Sequence, residues 1–270
     1  SLYLQTGSAF PALRPGQYVI IGVTIRGVRH RRAYSPRAVP GKPGHIAITV
    51  PRQPGGLVSQ HLNEHAQVGD VFDIEAPAGE FVLPSPLPTE LLLIAGGSGI
   101  TPGMAMLRHL HETAPQTRVT LIYFARSARD RIFAGKLADL AKRWNLLRYV
   151  PLDSSAHTPN VQEAGRDATT ATARVLDTPL LDELAPGWSQ LPTWCCGPAP
   201  LMDAARQIWL SAGAVDRLRL EAFAPPQASG DPNERHQVAL RRDHHTANFE
   251  AAGNLTLLAA GEQAGLQIKH

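Results

Sequence analysis

Two patterns of hydrophobic positions divide the chain near residue 88. Up to residue 86 the apolar and alternating segments are short and are separated by proline and glycine; they cover residues 16–25, 32–35, 44–50 and 71–76. Segments of this length and spacing are typical of antiparallel strands in a barrel. One helix is predicted among them, at residues 59–66. We therefore predict an antiparallel β-barrel over residues 1–86.

From residue 90, continuous apolar runs alternate with amphipathic segments. Strands are predicted at residues 91–95, 119–125, 147–152, 193–196 and 217–223, and helices at residues 102–112, 134–144, 178–184 and 200–212. Strands that alternate with helices are typical of a parallel, doubly wound sheet with right-handed crossovers. The polar stretch at residues 153–172 lacks periodicity and is expected to be a loop. We therefore predict an α/β domain over residues 90–224.

The last part of the chain has a pattern of its own. Residues 225–235 contain proline, glycine and serine and are predicted to form a linker. A β-hairpin is predicted over residues 236–251 and a helix over residues 255–264. Because residues 236–270 cannot easily bury a core of their own, they form either a docked tail or part of a longer domain.

The composition indicates a globular chain and excludes several classes of protein. Of its 270 residues, 43% are hydrophobic and 18% are charged, and the net charge of +3 is too small to indicate nucleic-acid binding. No apolar run is long enough for a transmembrane helix, and the first residues do not resemble a signal peptide. Because Cys195 and Cys196 are adjacent, they cannot crosslink distant segments, and a reducing, cytoplasmic location is expected. His61 and His65 lack a third ligand at metal-binding spacing, so no metal is expected.

The clearest candidate site follows the first strand of the α/β part. Gly96, Gly97 and Gly99 permit a tight turn and a close approach of the backbone to a phosphate. With Thr101 as N-cap and Pro102 as first helical residue, a helix would begin here and point its N-terminus at an anion. Pro102 stands where the dinucleotide fingerprint has its third glycine, so a glycine turn without a ligand is the alternative.

Two candidate sites lie in the barrel. Arg32 could pair with a phosphate, Tyr34 could pack against a flat cofactor, and Ser35 could hydrogen-bond to the polar edge of that cofactor. An ordinary strand end is the alternative. Residues 56–59 open the predicted helix with Ser59 as N-cap, so their amides could hold a second phosphate. A plain helix cap would explain them equally well.

Basic residues follow the strand at residues 119–125. Arg126, Ser127 and Arg131 lie where dinucleotide-binding domains meet the adenosine ribose. Basic side chains there favour the extra phosphate of NADPH, whereas a carboxylate favours NADH, and Asp130 lies close. We predict NADPH, with NADH as second choice; a solvated basic loop is the alternative.

A second strand, glycine turn and helix begin at residue 193. Cys196, Gly197 and Pro198 come at the carboxyl edge of the predicted sheet, where open α/β sheets bind ligands. Cys196 is then either a contact for a bound ring or a small buried side chain without a ligand.

These motifs together resemble the ferredoxin–NADP reductase superfamily. The matching sequences are Arg32-x-Tyr34-Ser35, Gly56-x-x-Ser59, Gly96-Gly97-Ser98-Gly99-Ile100-Thr101-Pro102 and Cys196-Gly197-Pro198-x-x-Leu201-Met202, with Gly79-x-Phe81 as a lesser match. They follow the order of the family over residues 1–224. The resemblance implies a flavin-binding barrel, an NAD(P)-binding domain and flavin-dependent NAD(P)H oxidoreductase activity.

The resemblance also implies roles for individual residues. FAD, which we expect in preference to FMN, would contact Arg32, Tyr34, Ser35, Gly56, Leu57, Val58 and Ser59. The nicotinamide dinucleotide would contact Gly97, Gly99, Thr101, Arg126, Ser127, Arg131, Cys196, Gly197, Pro198 and Met202. Cys196 would lie beside the nicotinamide where hydride passes to the flavin, with Glu221 at the same junction. The expected catalytic residues are Cys196, Ser35 and Glu221.

Residues 238–270 resemble the opening hairpin and helix of a plant-type [2Fe–2S] ferredoxin domain. In that family the cluster cysteines follow this point, so a cluster is expected only if the protein continues past His270. A truncated protein is the preferred explanation, and a leading barrel strand is likewise expected before Leu2.

The chain is thus similar to three-part oxygenase and desaturase reductases. In these, electrons pass from NAD(P)H through flavin and an iron–sulfur centre to a protein acceptor, here expected to be an oxygenase, a desaturase or a ferredoxin. Two alternatives stay open. One is a reductase of a separate ferredoxin or flavodoxin, and the other is a non-catalytic flavin- or nucleotide-binding subunit with an electron-transfer or regulatory role.

Overall fold

The computed structural model describes residues 1–53, 55–155, 174–223, 230–242 and 245–266. The chain divides into two compact units, Ser1–Phe223 and Ala224–His270. The loop expected at residues 153–172 lies mostly outside the described residues, as does part of the linker expected at residues 225–235. Among the described residues, no helix is both long and apolar enough to cross a membrane.

Two antiparallel sheets form the first part of the larger unit, as the alternating pattern predicts. Their strands are β1 (Leu2–Gln5), β2 (Val19–Ile25), β3 (Val28–Tyr34), β4 (Arg37–Ala38), β5 (His45–Ile48) and β6 (Asp73–Ile74). The strand orders are β1-β5-β4 and β3-β2-β6. The prediction missed β1 and β4, because strands of four and two residues are too short to show a repeating pattern.

The core of this barrel-like part follows from the alternation in β2. Successive strand side chains point to opposite faces, and the core-facing set of β2 is Val19, Ile21, Val23 and Ile25. This set packs with residues of β5 and of the helix α1 (Leu57–Glu64). The helix begins two residues before the predicted start at Ser59, because Gly56 already occupies the N-cap position.

A five-stranded parallel sheet forms the second part and confirms the predicted α/β fold. Its strands are β7 (Glu90–Gly96), β8 (Arg118–Ala125), β9 (Leu147–Asp153), β10 (Thr193–Cys196) and β11 (Leu218–Glu221), and its helices are α2 (Ile100–Thr113), α3 (Ala134–Arg143), α4 (Thr178–Leu184) and α5 (Ala199–Ser211). The strand order is β11-β10-β7-β8-β9. Because β7 is covered on both faces, its residues 91–95 are continuously apolar.

The direction of strand succession reverses between β7 and β10. β8 and β9 extend the sheet on one side of β7, whereas β10 and β11 extend it on the other. The carboxyl ends of β7 and β10 are therefore neighbours, with Ala95 beside Cys196. Open α/β sheets bind ligands at such a point, so the two turns singled out in the sequence meet at the expected edge.

The barrel and the sheet share a packed boundary. The indole nitrogen of Trp194 in β10 donates a hydrogen bond to the Val82 carbonyl oxygen at 3.2 Å. A methyl group on Gly16 would lie 2.6 Å from the Cε atom of Met106 in α2. Leu83, in the connection between the two parts, belongs to the core of the sheet.

The smaller unit contains a hairpin and a helix. β12 (Arg235–Arg242) and β13 (His245–Ala252) pair antiparallel along their full length, and α6 (Leu257–Gln263) follows them. The structure confirms the predicted hairpin and helix, with each boundary within two residues of the prediction.

Candidate functional site

The glycine turn after β7 is shorter than predicted, because α2 begins at Ile100. Gly97–Gly99 form one 3₁₀ turn that leads directly into α2, and Gly97 has a φ of 53°, a conformation that glycine adopts without strain. The prediction that Thr101 caps the helix is wrong, because α2 begins earlier, with Gly99 at the N-cap. Thr101 lies in the first turn, where its hydroxyl donates to the Ser98 carbonyl oxygen at 2.9 Å.

The turns after β7 and β10 pack backbone against backbone. A methyl group on Gly99 would overlap the Cys196 carbonyl oxygen and would lie 2.8 Å from the Gly197 nitrogen. A methyl group on Gly96 would lie 2.7 Å from Cδ of Pro198. Side chains are therefore excluded at both glycines, and the two turns predicted to contact the dinucleotide come together.

A cleft of about 610 Å³ opens beside these turns. Its walls come from the ends of parallel strands, from α5 and from the barrel loop before α1. Of the predicted site residues it contains Gly97, Arg126 and Pro198, and its other polar lining residues are Arg52, Gln53, Ser98, Asp130, Ser154 and Arg174. The volume and the mixture of apolar and polar groups are typical of a cofactor cleft.

Arg126 and Ser127 share one hydrogen-bond partner. Nη2 of Arg126 lies 3.3 Å from Oδ1 of Asp130, and the Ser127 hydroxyl donates to Oδ2 at 2.8 Å. Arg131 instead forms an ion pair with Asp153 at the end of β9 and does not line the cleft. The rim of the cleft thus carries a carboxylate held by a cation and a hydroxyl.

Met202 also lies away from the cleft. It is partly buried and packs against the apolar cluster on one face of the sheet, as its neighbour Leu201 does. Of the two, Leu201 also lines the cleft, because consecutive helix residues point about 100° apart.

Cys196 is buried and holds its proton. Its exposed fraction is 2%, and burial raises the pKa of its thiol, with a further contribution from the nearby Glu221 carboxyl. Because the thiolate is the nucleophilic form, Cys196 is not placed for nucleophilic chemistry. It lies as a small, soft side chain at the end of β10.

Glu221 is partly buried and lies beside Cys196 in the register of β10 and β11. Burial raises its pKa from 4.5 to about 7. Its Oε2 atom is buried and has no hydrogen-bond partner among the described residues. A methyl group on Gly79 would lie 3.9 Å from Oε1, so the carboxyl lies where the sheet meets the barrel. Glu221 can therefore hold a proton near neutral pH at this boundary.

Ser35 has a matching feature on the barrel side. Its hydroxyl oxygen is buried and has no hydrogen-bond partner in the part of the chain that the structure describes. Tyr34 is partly buried, and burial raises the pKa of its phenol. Arg32 is exposed and donates to the Arg31 carbonyl oxygen at 2.7 Å. Buried hydroxyls normally have a partner, so Ser35 fits the polar edge of a bound ring.

The start of α1 presents backbone amides. Gly56 occupies the N-cap and no side chain caps the helix. The prediction that Ser59 is the N-cap is wrong: its hydroxyl donates to the Gly56 carbonyl oxygen at 3.0 Å and accepts from the Gln53 amide at 3.2 Å. The first amides of the helix, on Leu57, Val58 and Ser59, have no intrahelical acceptor and suit a phosphate.

Together these features fit a flavin and a nicotinamide dinucleotide. The unpaired oxygens of Ser35 and Glu221 match polar ring edges, and the backbone contact between the two turns leaves their surface free of side chains. Arg52, Gln53 and Arg174 line the cleft but were not predicted. No motif marks them, because the cleft forms only when distant segments meet.

Comparisons with known proteins agree with this geometry. Residues 1–83 match the oxidoreductase FAD-binding domain, and residues 93–207 match the oxidoreductase NAD-binding domain. An NADPH oxidoreductase of Mycobacterium tuberculosis is 35% identical over 99% of this chain and 67% of its own length. The glycine betaine monooxygenase reductase subunit of Pseudomonas aeruginosa is 28% identical over 92% of this chain and 69% of its own length.

A solved structure shows the same arrangement. The FAD/NAD-binding domain of a nitric oxide dioxygenase from Vibrio cholerae is 27% identical and has a TM-score of 0.62, covering 81% of this chain and 89% of that one. The chain therefore belongs to the ferredoxin–NADP reductase superfamily and is a flavin-dependent NAD(P)H oxidoreductase with an FAD-binding and an NAD-binding domain.

Proposed function

We propose that the chain is the FAD- and NADPH-binding part of a reductase that passes electrons through an iron–sulfur centre to an oxygenase. The observation that carries this proposal is the contact between the turn at Gly97–Gly99 and the turn after Cys196, beside a cleft of cofactor size. The Pseudomonas relative is a monooxygenase reductase subunit, which supports an oxygenase as the acceptor.

We assign FAD to the barrel. FAD, when bound, supplies the conversion of a two-electron donor into single-electron steps. Arg32 and the amides at the start of α1 would bind its phosphates, and Tyr34 would pack against its ring. The Ser35 hydroxyl would orient the polar edge of that ring, since it has no other described partner.

We assign the nicotinamide dinucleotide to the edge of the sheet. Gly97 and Gly99 allow the backbone to approach its phosphates. The Cys196 thiol would contact the nicotinamide and exclude water from that side. Glu221, with a pKa of about 7, would hold or release a proton at the boundary with the barrel.

We assign the preference for NADPH to Arg126 and Ser127. Both side chains bind the Asp130 carboxylate. The 2′-phosphate of NADPH would take the place of this carboxylate and carries a higher negative charge. A hydrogen bond to a charged group contributes about 1.5–3 kcal/mol. Arg126→Ala is therefore expected to lower kcat/KM for NADPH at least about tenfold and to change kcat/KM for NADH little.

The matched control is Arg118→Ala, because Arg118 begins β8 and Arg126 follows its end. The control should leave both cosubstrates unaffected. Equal losses for NADPH and NADH in Arg126→Ala, or a clearly better kcat/KM of the unmodified protein for NADH, would contradict the assigned preference.

We propose that the smaller unit begins a [2Fe–2S] domain. Its antiparallel hairpin followed by α6 supports this, as the elements occur in the order that a plant-type ferredoxin domain requires. Protein expressed from the intact gene should give the electron paramagnetic resonance signal of a reduced [2Fe–2S] cluster. The absence of a cluster, or a requirement for an added ferredoxin to reduce the oxygenase, would remove this part of the proposal.

A further inference from the structure

A second group of cavities lies outside the cofactor cleft. One of about 150 Å³ is lined by Arg37 of β4 and Arg108 of α2, and one of about 320 Å³ is lined by Arg108 together with Lys136 and Arg143 of α3. Because Arg108 lines both, we treat them as one feature, the basic groove. It shares no lining residue with the cofactor cleft.

The cations of the basic groove lack anionic partners at ion-pair distance. Arg37 is 6% exposed and Arg108 is partly buried, yet no ion pair involves Arg37, Arg108, Lys136 or Arg143 among the described residues. Buried charges are usually paired, because removing them from water is costly. Among the described residues, the groove therefore holds two largely desolvated guanidinium groups, those of Arg37 and Arg108, which no carboxylate pairs at ion-pair distance.

The pKa values report the same positive potential. Burial lowers the pKa of Arg108, and the charge of Arg37 lowers it further. The pKa of the Tyr3 hydroxyl is lowered by a hydrogen bond and the charge of Arg37, and also by the charges of Lys136 and Arg108. The Arg37 guanidinium lies 5.6 Å from the centre of the Tyr3 ring. Cations from β4, α2 and α3 thus line the basic groove.

Two carboxylates offset only part of this charge. Glu112 lines both cavities and raises the pKa of Arg108, and Asp139 lines the larger cavity. Glu112 and Asp139 are exposed, so water screens their interaction with the groove. Lys136 and Arg143 are exposed as well, so the charge that water screens least is that of Arg37 and Arg108, and this charge makes the groove attractive to an anion.

We propose that the basic groove binds a small dianionic oxyanion of the phosphate class, held chiefly by Arg37 and Arg108. Such a ligand would accept hydrogen bonds from both guanidinium groups and relieve their mutual repulsion. The smaller cavity is large enough for one tetrahedral oxyanion. Because β4 belongs to the barrel and α2 to the sheet, the bound anion would join these two parts.

The test compares the FAD-loaded protein with Arg108→Gln at constant ionic strength. Inorganic phosphate is the probe, and chloride keeps the ionic strength equal. At ten times its dissociation constant, phosphate should raise the melting temperature of the unmodified protein by about 3–5 °C. Arg108→Gln should lose most of this rise and, in chloride alone, should melt no lower than the unmodified protein.

Control variants separate phosphate binding in the basic groove from a general effect of losing one positive charge. Arg206→Gln removes the same charge from the exposed face of α5 and should keep the full phosphate effect. Lys136→Gln, at the exposed side of the groove, replaces Arg108→Gln if that variant fails to fold and should weaken phosphate binding at least about threefold. An equal phosphate effect in the groove variants and in Arg206→Gln would overturn the proposal, as would the absence of any effect beyond that of chloride.

Discussion

Glu221 allows a direct test of the boundary between the barrel and the sheet. Its Oε2 atom is buried without a described partner, and burial raises its pKa from 4.5 to about 7. Ionising it in the folded protein therefore costs free energy that ionising it in the unfolded chain does not. Glu221→Gln removes the ionisation and keeps the size of the side chain.

The size and sign of the effect follow from the two pKa values. One unit of pKa corresponds to about 1.36 kcal/mol, so the rise gives an upper limit of about 3 kcal/mol. Below pH 4.5 the carboxyl is protonated in both states. Between pH 4.5 and about 7 the folded state binds the proton more tightly, so the free energy of unfolding falls as pH rises. Above pH 7 the full loss is present.

Urea unfolding at pH 4.5 and pH 8.5 measures this loss in nucleotide-free protein. The quantity to compare is the unfolding free energy of Glu221→Gln minus that of the unmodified protein. This difference should be about 2–3 kcal/mol larger at pH 8.5 than at pH 4.5. Glu90→Gln is the control, because Glu90 begins β7 and lies far along the strand from the site. A Glu221→Gln difference that does not change with pH would refute the account of this carboxyl.

Two further substitutions test the turns and the flavin site. Gly99→Ala should destabilise the protein by about 2–3 kcal/mol in urea unfolding, because the new methyl group overlaps the Cys196 carbonyl oxygen. The control Gly135→Ala, in α3 with open space around it, should be neutral or slightly stabilising. Similar losses of stability in both variants would contradict the packing of the two turns. Ser35→Ala should leave the stability of the flavin-free protein within about 0.5 kcal/mol but raise the FAD dissociation constant about five- to tenfold in a fluorescence titration; unchanged FAD affinity would remove Ser35 from the site.

The strands of the sheet could be predicted closely because a strand that is buried on both faces has apolar residues at consecutive positions. Residues 91–95 of β7 and residues 194–196 of β10 are continuously apolar, and the predicted strand at residues 193–196 agrees with the structure. Helix starts were less predictable. At α1 and α2 the N-cap is a glycine, and backbone geometry, which no side chain marks, decides where the helix begins.

The candidate site could be predicted only where one segment supplies it. The turns after β7 and β10 each carry their own glycines, so both were found. Arg131 was expected in the nucleotide site; its ion-pair partner Asp153 comes from the next strand of the sheet, which the local sequence does not indicate. The contribution of Arg52 to the cleft likewise depends on how the barrel packs beside the sheet. Such tertiary contacts have no local signature in the sequence.

Transfer of electrons from NADPH to FAD within this chain can be measured by mixing the purified, FAD-loaded protein anaerobically with NADPH and recording its visible absorbance. The flavin absorbance bands should bleach on addition of NADPH. A protein that binds no flavin, or flavin bands that neither NADPH nor NADH bleaches, would contradict this electron transfer.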